Sequence, residues 1–296
     1  MEQSGSLKFL FVINPISGGT TKTDWASTIS DYFKALNHSI DFFLLDGKND
    51  AASLEHWIGN LNPHRVVAVG GDGTISLVAK QILGTSIELG ILPAGSANGM
   101  AKELDIPADI NAALDIIVKG KSQCADVIYV NDQICLHLSD IGMNAQLIKY
   151  FEEGNLRGKL GYARVALKVL WKKQNMQVII QTKDVEIKRN AFMIVLANAS
   201  KYGFGAVINP EGDLYDGLFE VIIIRKLAIS EFFKMWFRPQ PFDPEKIELF
   251  HAKSVIIDTK HKVHFQVDGE YLGKVNKITA TISPSQLHLL LPVADK

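Results

Sequence analysis

A parallel α/β domain followed by an antiparallel β domain is the fold class this sequence predicts, and three observations predict it. Short apolar runs alternate with helix-period stretches as far as about residue 121. Three of those runs lead straight into turn-forming loops: Asn14-Pro15-Ile16-Ser17-Gly18-Gly19, Gly70-Gly71-Asp72-Gly73-Thr74, and Pro93-Ala94-Gly95-Ser96-Ala97-Asn98-Gly99. Beyond that point the chain turns into closely spaced β-type segments with turn residues between them. The expected division is an α/β domain over 1–122, which the segment 284–296 could rejoin, and a β-sandwich over 123–283. A chain of 296 residues is long for one core, which fits the same division.

In the first part, strands are expected at 7–13, 40–45, 65–69 and 89–92, with helices at 25–36, 52–59, 75–83 and 97–104. In parallel α/β sheets, ligands bind beyond the carboxyl ends of the strands, where all three loops fall. In the second part, strands are expected at 126–130, 134–138, 176–181, 185–188, 192–197, 218–224, 254–259, 263–267 and 277–282, interrupted by helices at 161–173 and 229–237. A cleft between two such domains is a common place for a ligand site.

A formal net charge of -1 argues against a nucleic-acid partner, since no global positive field is available. The two cysteines, Cys124 and Cys135, lack metal or redox spacing and read as buried free thiols, in keeping with a reducing cytoplasm. No apolar run is long enough to span a membrane.

Of the three loops, Gly70-Gly71-Asp72-Gly73-Thr74 carries the most chemistry. Glycines after a strand let backbone approach a polyphosphate, and the following helix offers free N–H groups. An aspartate there can orient a divalent cation or the attacking group. Ser96 is suited to cap a helix over 97–104, to bind a phosphate oxygen, or to do both. Asp268-Gly269-Glu270 reads either as a hairpin turn or as a pair of reacting carboxyls.

Taken together, these loops resemble those of the diacylglycerol-kinase catalytic family, which includes bacterial lipid kinases and the sphingosine and ceramide kinases. The matching residues are Asn14, Pro15, Ser17 and Gly18; Gly70 to Thr74; and Pro93, Gly95, Ser96 and Asn98. Asn198 to Gly205 with Pro210 and Asp213 to Gly217, and then Asp268-Gly269-Glu270, continue the order. The resemblance implies a nucleotide domain like that of NAD kinase and phosphofructokinase, a β-sandwich domain, and an active site in the cleft between them. It implies ATP as donor with Mg2+, a lipid alcohol as acceptor, and a peripheral, transient contact with a membrane surface. It implies nucleotide contacts from Asn14, Ser17, Gly18, Gly71, Gly73, Thr74, Gly95, Ser96 and Asn98. Asp72 would act with the catalytic magnesium, and Asp268 or Glu270 would be the base. A structural magnesium would take Asp216 and the carbonyls of Asp213 and Leu218. The oligomeric state stays open, a homodimer included.

Departures from the family pattern fall at Ser76 and Leu77, where relatives carry Asn-Glu, and at Gly99, where they carry an aspartate. Gln146 occupies the place where sphingosine kinases set an acid for the sphingoid amine, which favours a neutral lipid such as diacylglycerol. Arg157 and Lys159, and the aromatic run from Phe232 to Phe237 beside Arg238, are ambiguous between binding and ordinary surface or core. Two rivals remain: an NAD kinase, which shares the Gly-Gly-Asp-Gly-Thr loop, and a lipid- or nucleotide-binding regulatory protein on the same scaffold.

Overall fold

The computed structural model describes residues 5–17, 24–146, 175–183, 185–202, 206–226 and 242–293, with single positions at 228, 231 and 234. Gly18, Arg157, Lys159 and the expected helices at 161–173 and 229–237, apart from Glu231 and Lys234, lie outside the described residues. The chain divides into two compact units. The first holds Met1–Ala125 and Ser285–Lys296, and the second holds Asp126–Tyr202 and Ala206–Pro284.

In the first unit, β1 (Lys8–Ile13), α1 (Trp25–Phe33), β2 (Ser39–Leu44), α2 (Asp50–Leu61), β3 (Arg65–Gly70), α3 (Asp72–Ile82), β4 (Glu88–Pro93), α4 (Gly99–Glu103) and α5 (Ile110–Lys119) alternate along the chain. The strands are parallel in the order β2-β1-β3-β4. All six residues of β3 are buried, as expected for a central parallel strand covered on both faces. Asp24 caps α1 through the Ser27 amide, and Ile29 and Phe33, four apart, bury its inner face. Asp109 caps α5 in the same way through Ala112.

One buried cation ties three of these elements. Arg65 in β3 is 6% exposed; its Nε donates to Glu88 Oε2 in β4 at 2.6 Å. Its Nη1 donates to the carbonyls of Ile117 and Val118 at 2.7 and 2.8 Å, near the end of α5. Those carbonyls lie in the last turn, where a helix has no donors of its own to offer them and a cation is favoured.

The second unit is antiparallel. It contains β5 (Lys121–Val130, begun in the first unit), β6 (Gln133–Cys135), β7 (Leu138–Gly142), β8 (Met176–Gln181), β9 (Glu186–Ala191), β10 (Met193–Ala197), β11 (Lys201–Tyr202), β12 (Ala206–Val207), β13 (Phe219–Ile224), β14 (Ile247–Ala252), β15 (Ser254–Val267) and β16 (Glu270–Leu291). One layer runs β14-β13-β10-β7-β15. The other is built on the first half of β15, with β8 and β9 on one side and β16, β5 and β6 on the other. β15 serves both layers because its register shifts twice between Asp258 and Gln266, which bends it from one layer into the next. A core including Ile128, Ile180, Ile194, Phe219, Val221 and Ile257 fills the interior.

The segments expected as two strands at 254–259 and 263–267 are therefore one bent strand, and the strand expected at 277–282 is the middle of a 22-residue strand. The far end of β16 belongs to the first unit, where His288 and Leu289 pair parallel with Glu88 and Leu89. Cys135 is buried, but Cys124 is only partly so.

Replacing Arg65 with Leu leaves two helix-end carbonyls and a carboxylate without their donor, so a loss of about 3 kcal/mol is expected. Urea unfolding followed by a probe of the first unit, compared between parent and Arg65→Leu, measures it.

Candidate active site

The three loops of the first unit are bound to one another through backbone. Asn14 N–H donates to Val69 O at 3.0 Å and Ala94 N–H to Gly70 O at 2.9 Å, so the loops after β1 and β4 are both tied to the end of β3. Asn14 Oδ1 accepts from Ile16 N–H, and its Nδ2 lies 3.4 Å from the buried Thr74 Oγ1. Gly71 and Gly95 pack without side chains between them. A Cβ on Gly95 would lie 2.5 Å from Gly71 Cα and 2.8 Å from Asn98 Oδ1. A Cβ on Gly70 would overlap the Thr74 side chain. Gly73 differs: it is exposed, its backbone is helical, and a Cβ there would meet nothing within 4 Å.

The helix after the third loop is Gly99–Glu103, capped at Asn98, and not the longer helix from residue 97 expected with Ser96 as its cap. The reason is a division of labour. Asn98 adopts φ +50° and turns its Oδ1 back to Gly95 N–H at 2.8 Å. Asp72 supplies the missing cap from another loop, with Oδ2 accepting from Gly99 N–H at 3.0 Å and Oδ1 from Met100 N–H at 2.9 Å. Ser96 is left exposed at the loop. The N-terminus of α3, at Gly71, has no side-chain cap.

In the second unit, Asp268 and Gly269 form the two-residue turn between β15 and β16, at φ +47° and +87°. Both signs match a primed hairpin turn. The Asp268 carboxylate is wrapped by three successive amides: Leu136 N–H on Oδ2 at 2.8 Å, and His137 and Leu138 N–H on Oδ1 at 2.9 and 3.1 Å. The Cys135 thiol adds a contact at 3.6 Å. Burial raises the Asp268 carboxyl, and the amides pull it the other way. Burial pushes the Cys135 thiol well up, reinforced by Asp268. Glu270 is exposed; its backbone pairs with Val267 across the turn, and its side chain makes no hydrogen bond or ion pair with the described residues.

Behind this turn lies a polar network that the sequence reading did not single out. Asp140 in β7 is 1% exposed and accepts from Ala145 N–H at 2.8 Å, from Asn144 Nδ2, and from Gln266 Nε2. Gln266 Oε1 accepts from Gly269 N–H at 2.7 Å. A carboxyl inside the apolar run Leu138-Ser139-Asp140-Ile141 was the available signal. Burial raises Asp140 from 3.8 to about 6, with its amide partners acting in the opposite direction.

Asp213, Asp216 and Leu218 share one loop of the second unit. Asp213 Oδ1 accepts from Tyr215 N–H and Asp216 Oδ1 from Leu218 N–H, at 2.9 and 2.8 Å. Among the described residues, no group of three or more His, Cys, Asp or Glu side chains is placed to cage a metal. Hard oxygen donors are nevertheless what magnesium takes, and it normally keeps waters and substrate phosphates as its other ligands. The second oxygen of Asp216, and the remaining lone pairs of Asp72, fit that role.

Two outcomes follow. Gly95→Ala is expected to destabilise the first unit by about 2 kcal/mol, whereas Gly73→Ala leaves it unchanged or stabilises it by up to about 1 kcal/mol; thermal unfolding of both variants checks the contrast. For Asp140, folding takes up a proton that the unfolded chain releases between pH 3.8 and about 6. Its contribution to stability is full below 3.8 and falls as pH rises through about 6, by on the order of 3 kcal/mol. The difference between parent and Asp140→Asn urea midpoints across that range isolates this slope from other carboxyls.

Comparison with known proteins agrees with this architecture. The diacylglycerol kinase catalytic domain profile matches residues 8–130, and the YegS C-terminal NAD kinase beta sandwich-like domain matches residues 139–291. The chain is 29% identical over 223 residues to a diacylglycerol kinase of Bacillus subtilis, covering 70% of this chain and 71% of that one. It is 27% identical over 237 residues to a Chromohalobacter salexigens protein named "Probable lipid kinase YegS-like", covering 77% and 76%. The match to an uncharacterised Synechocystis protein spans 55% of that protein. Among solved structures, a diacylglycerol kinase from Bacillus anthracis superposes with TM-score 0.77 at 18% identity over 98% of both chains. An NAD kinase from Archaeoglobus fulgidus reaches 0.55 at 14% identity, over 95% of this chain and 93% of that one. With one profile covering each part of the chain in the order its loops predict, the protein belongs to the diacylglycerol kinase catalytic family.

Proposed function

We propose that this chain transfers the γ-phosphate of ATP to the hydroxyl of a lipid alcohol, with diacylglycerol the foremost acceptor and phosphatidate the product. The observation that carries the reading is Gly73. Neither packing nor backbone angle calls for glycine there, and alanine would be the better helix former. A glycine kept beside an uncapped helix N-terminus makes sense if a polyphosphate comes close to the backbone. Asn14, Ser17, Thr74, Gly95, Ser96 and Asn98 would surround the donor as loop neighbours of Gly71 and Gly73.

In the reaction, the lipid oxygen forms a bond to the γ-phosphorus as the bond to the β–γ bridging oxygen breaks, releasing ADP. The hydroxyl proton goes to Glu270. Asp268 is unsuited to that task, since its oxygens already accept three backbone N–H groups, whereas Glu270 is exposed and free of described partners. Asp72 acts by holding α4 in place and by offering its remaining lone pairs to the metal. Magnesium supplies neutralisation of phosphate charge. Asp213, Asp216 and Leu218 would hold a second, structural ion. The acceptor is met at a membrane surface by transient, peripheral contact from the cytoplasm; no helix among the described residues is long and apolar enough to cross a membrane.

The test is transfer of labelled γ-phosphate, with magnesium, to a panel of lipid alcohols in mixed micelles, with NAD as control acceptor. Label in phosphatidate is the expected result. Label in a different lipid keeps the kinase and changes the acceptor, label in NADP alone replaces it with an NAD kinase, and no label in any acceptor leaves the regulatory-protein reading. Glu270→Gln should lower kcat on the order of a hundredfold or more, with ATP binding retained. Gly73→Ala should fold like the parent yet raise the KM for ATP, and Asp72→Asn should abolish turnover.

A further inference from the structure

The network behind the Asp-Gly turn has a defined direction. Gly269 N–H can only donate, so the Gln266 atom facing it at 2.7 Å is the carbonyl Oε1. That fixes the other end of the same amide as the donor Nε2, which faces Asp140. Asp140 also meets the backbone N–H of Ala145, again a donor by chemistry, and the amide of Asn144. The two neighbours of fixed polarity, Ala145 N–H on Oδ1 and Gln266 Nε2 on Oδ2, thus each require an acceptor at position 140, and a carboxylate accepts at both oxygens. Gln266 is fully buried, and Ser139 Oγ donates to its backbone carbonyl at 2.7 Å, so neither water nor backbone slack offers it another arrangement. A buried amide held at both ends transmits the polarity of one partner to the other.

We propose that Asp140 is a positioning residue for Glu270: by accepting from Gln266 Nε2 it holds Gln266 Oε1 on Gly269 N–H and so fixes the turn from which Glu270 projects. This rests on the reading of Glu270 as the base. Asp140 itself touches no reacting atom. With asparagine at position 140, its Oδ1 is claimed by Ala145 N–H and its NH2 group would oppose the amide donor of Gln266. Relieving that clash rotates the Gln266 amide by half a turn, which sets its NH2 against Gly269 N–H and breaks the contact holding the turn.

The experiment compares parent, Asp140→Asn, Gln266→Met and the double variant Asp140→Asn/Gln266→Glu. The double variant moves the carboxylate to the other end of the pair and restores an acceptor for Gly269 N–H. Two quantities are read: hydrogen exchange at the Gly269 amide, and kcat and KM for ATP in the lipid assay. Both single variants are expected to exchange at Gly269 on the order of tenfold faster and to lose ten- to a hundredfold in kcat with KM for ATP unchanged. The double variant is expected to recover most of both. A merely structural role would show as lost stability without the separation of kcat from KM for ATP. Parent-like exchange in Gln266→Met, or a double variant no better than Asp140→Asn, would overturn the proposal. Should Asp140→Asn fail to fold, Gln266→Met and the double variant still decide it. A parent chain that phosphorylates no lipid would instead remove the kinase reading, while Gly269 exchange continues to report on the network alone.

Discussion

The ladder between β15 and β16 is the interaction on which most of this molecule depends. β15 bends through two register shifts and so belongs to both layers of the second unit, and β16 follows it along most of that path. The turn that joins them carries Asp268, Gly269 and Glu270. Because both strands are pinned by neighbours along their length, the turn is placed by the sheets rather than by the flexibility of a loop. A chemical group on such a turn starts with little conformational freedom to lose.

Carboxylates do an unusual share of the local construction. Asp72 caps a five-residue helix from a different loop, Asp268 gathers three successive amides, and Asp140 collects three donors in the interior. Each satisfies backbone groups that would otherwise be stranded by irregular chain. The result is that glycine loops and turns, which are normally soft, are held at one end by hydrogen bonds to a carboxylate and at the other by neutral amides. This also separates two roles that residue type alone cannot separate, since the acid engaged by amides and the acid left exposed stand two residues apart at Asp268 and Glu270.

Much of this was legible in the sequence. β1, β3 and β4 are continuous apolar runs that stop at glycine or proline loops, and their burial follows directly from that composition. The Asp-Gly pair marked its turn. Other parts left a signal that went unused: α5 follows Asp109 with Ala113, Leu114 and Ile117 on one face. β14, with Glu248 and His251 among its residues, has neither clean alternation nor a continuous apolar run. β16 is broken in sequence by charged residues and by Ser283-Pro284-Ser285, where Ser285 takes φ +53°, yet strand pairing resumes beyond them, with β15 before and with β4 after. The reach of Asp72 to Gly99, or of Asp140 to Gln266, depends on tertiary placement across 27 and 126 residues, and no local pattern encodes it.

The parallel pairing of His288 and Leu289 with Glu88 and Leu89 has a consequence for the birth of the protein. The edge of β4 has to wait for a partner made some 200 residues later. At about 5–20 residues per second, a ribosome needs on the order of ten seconds or more to deliver it. During that interval the nascent first unit carries an open strand edge, the kind of surface that invites unwanted pairing. The finishing strand of the first unit's sheet is thus translated only after the whole of the second unit, so chaperone occupancy or pausing in that interval would act on the domain that was begun earlier.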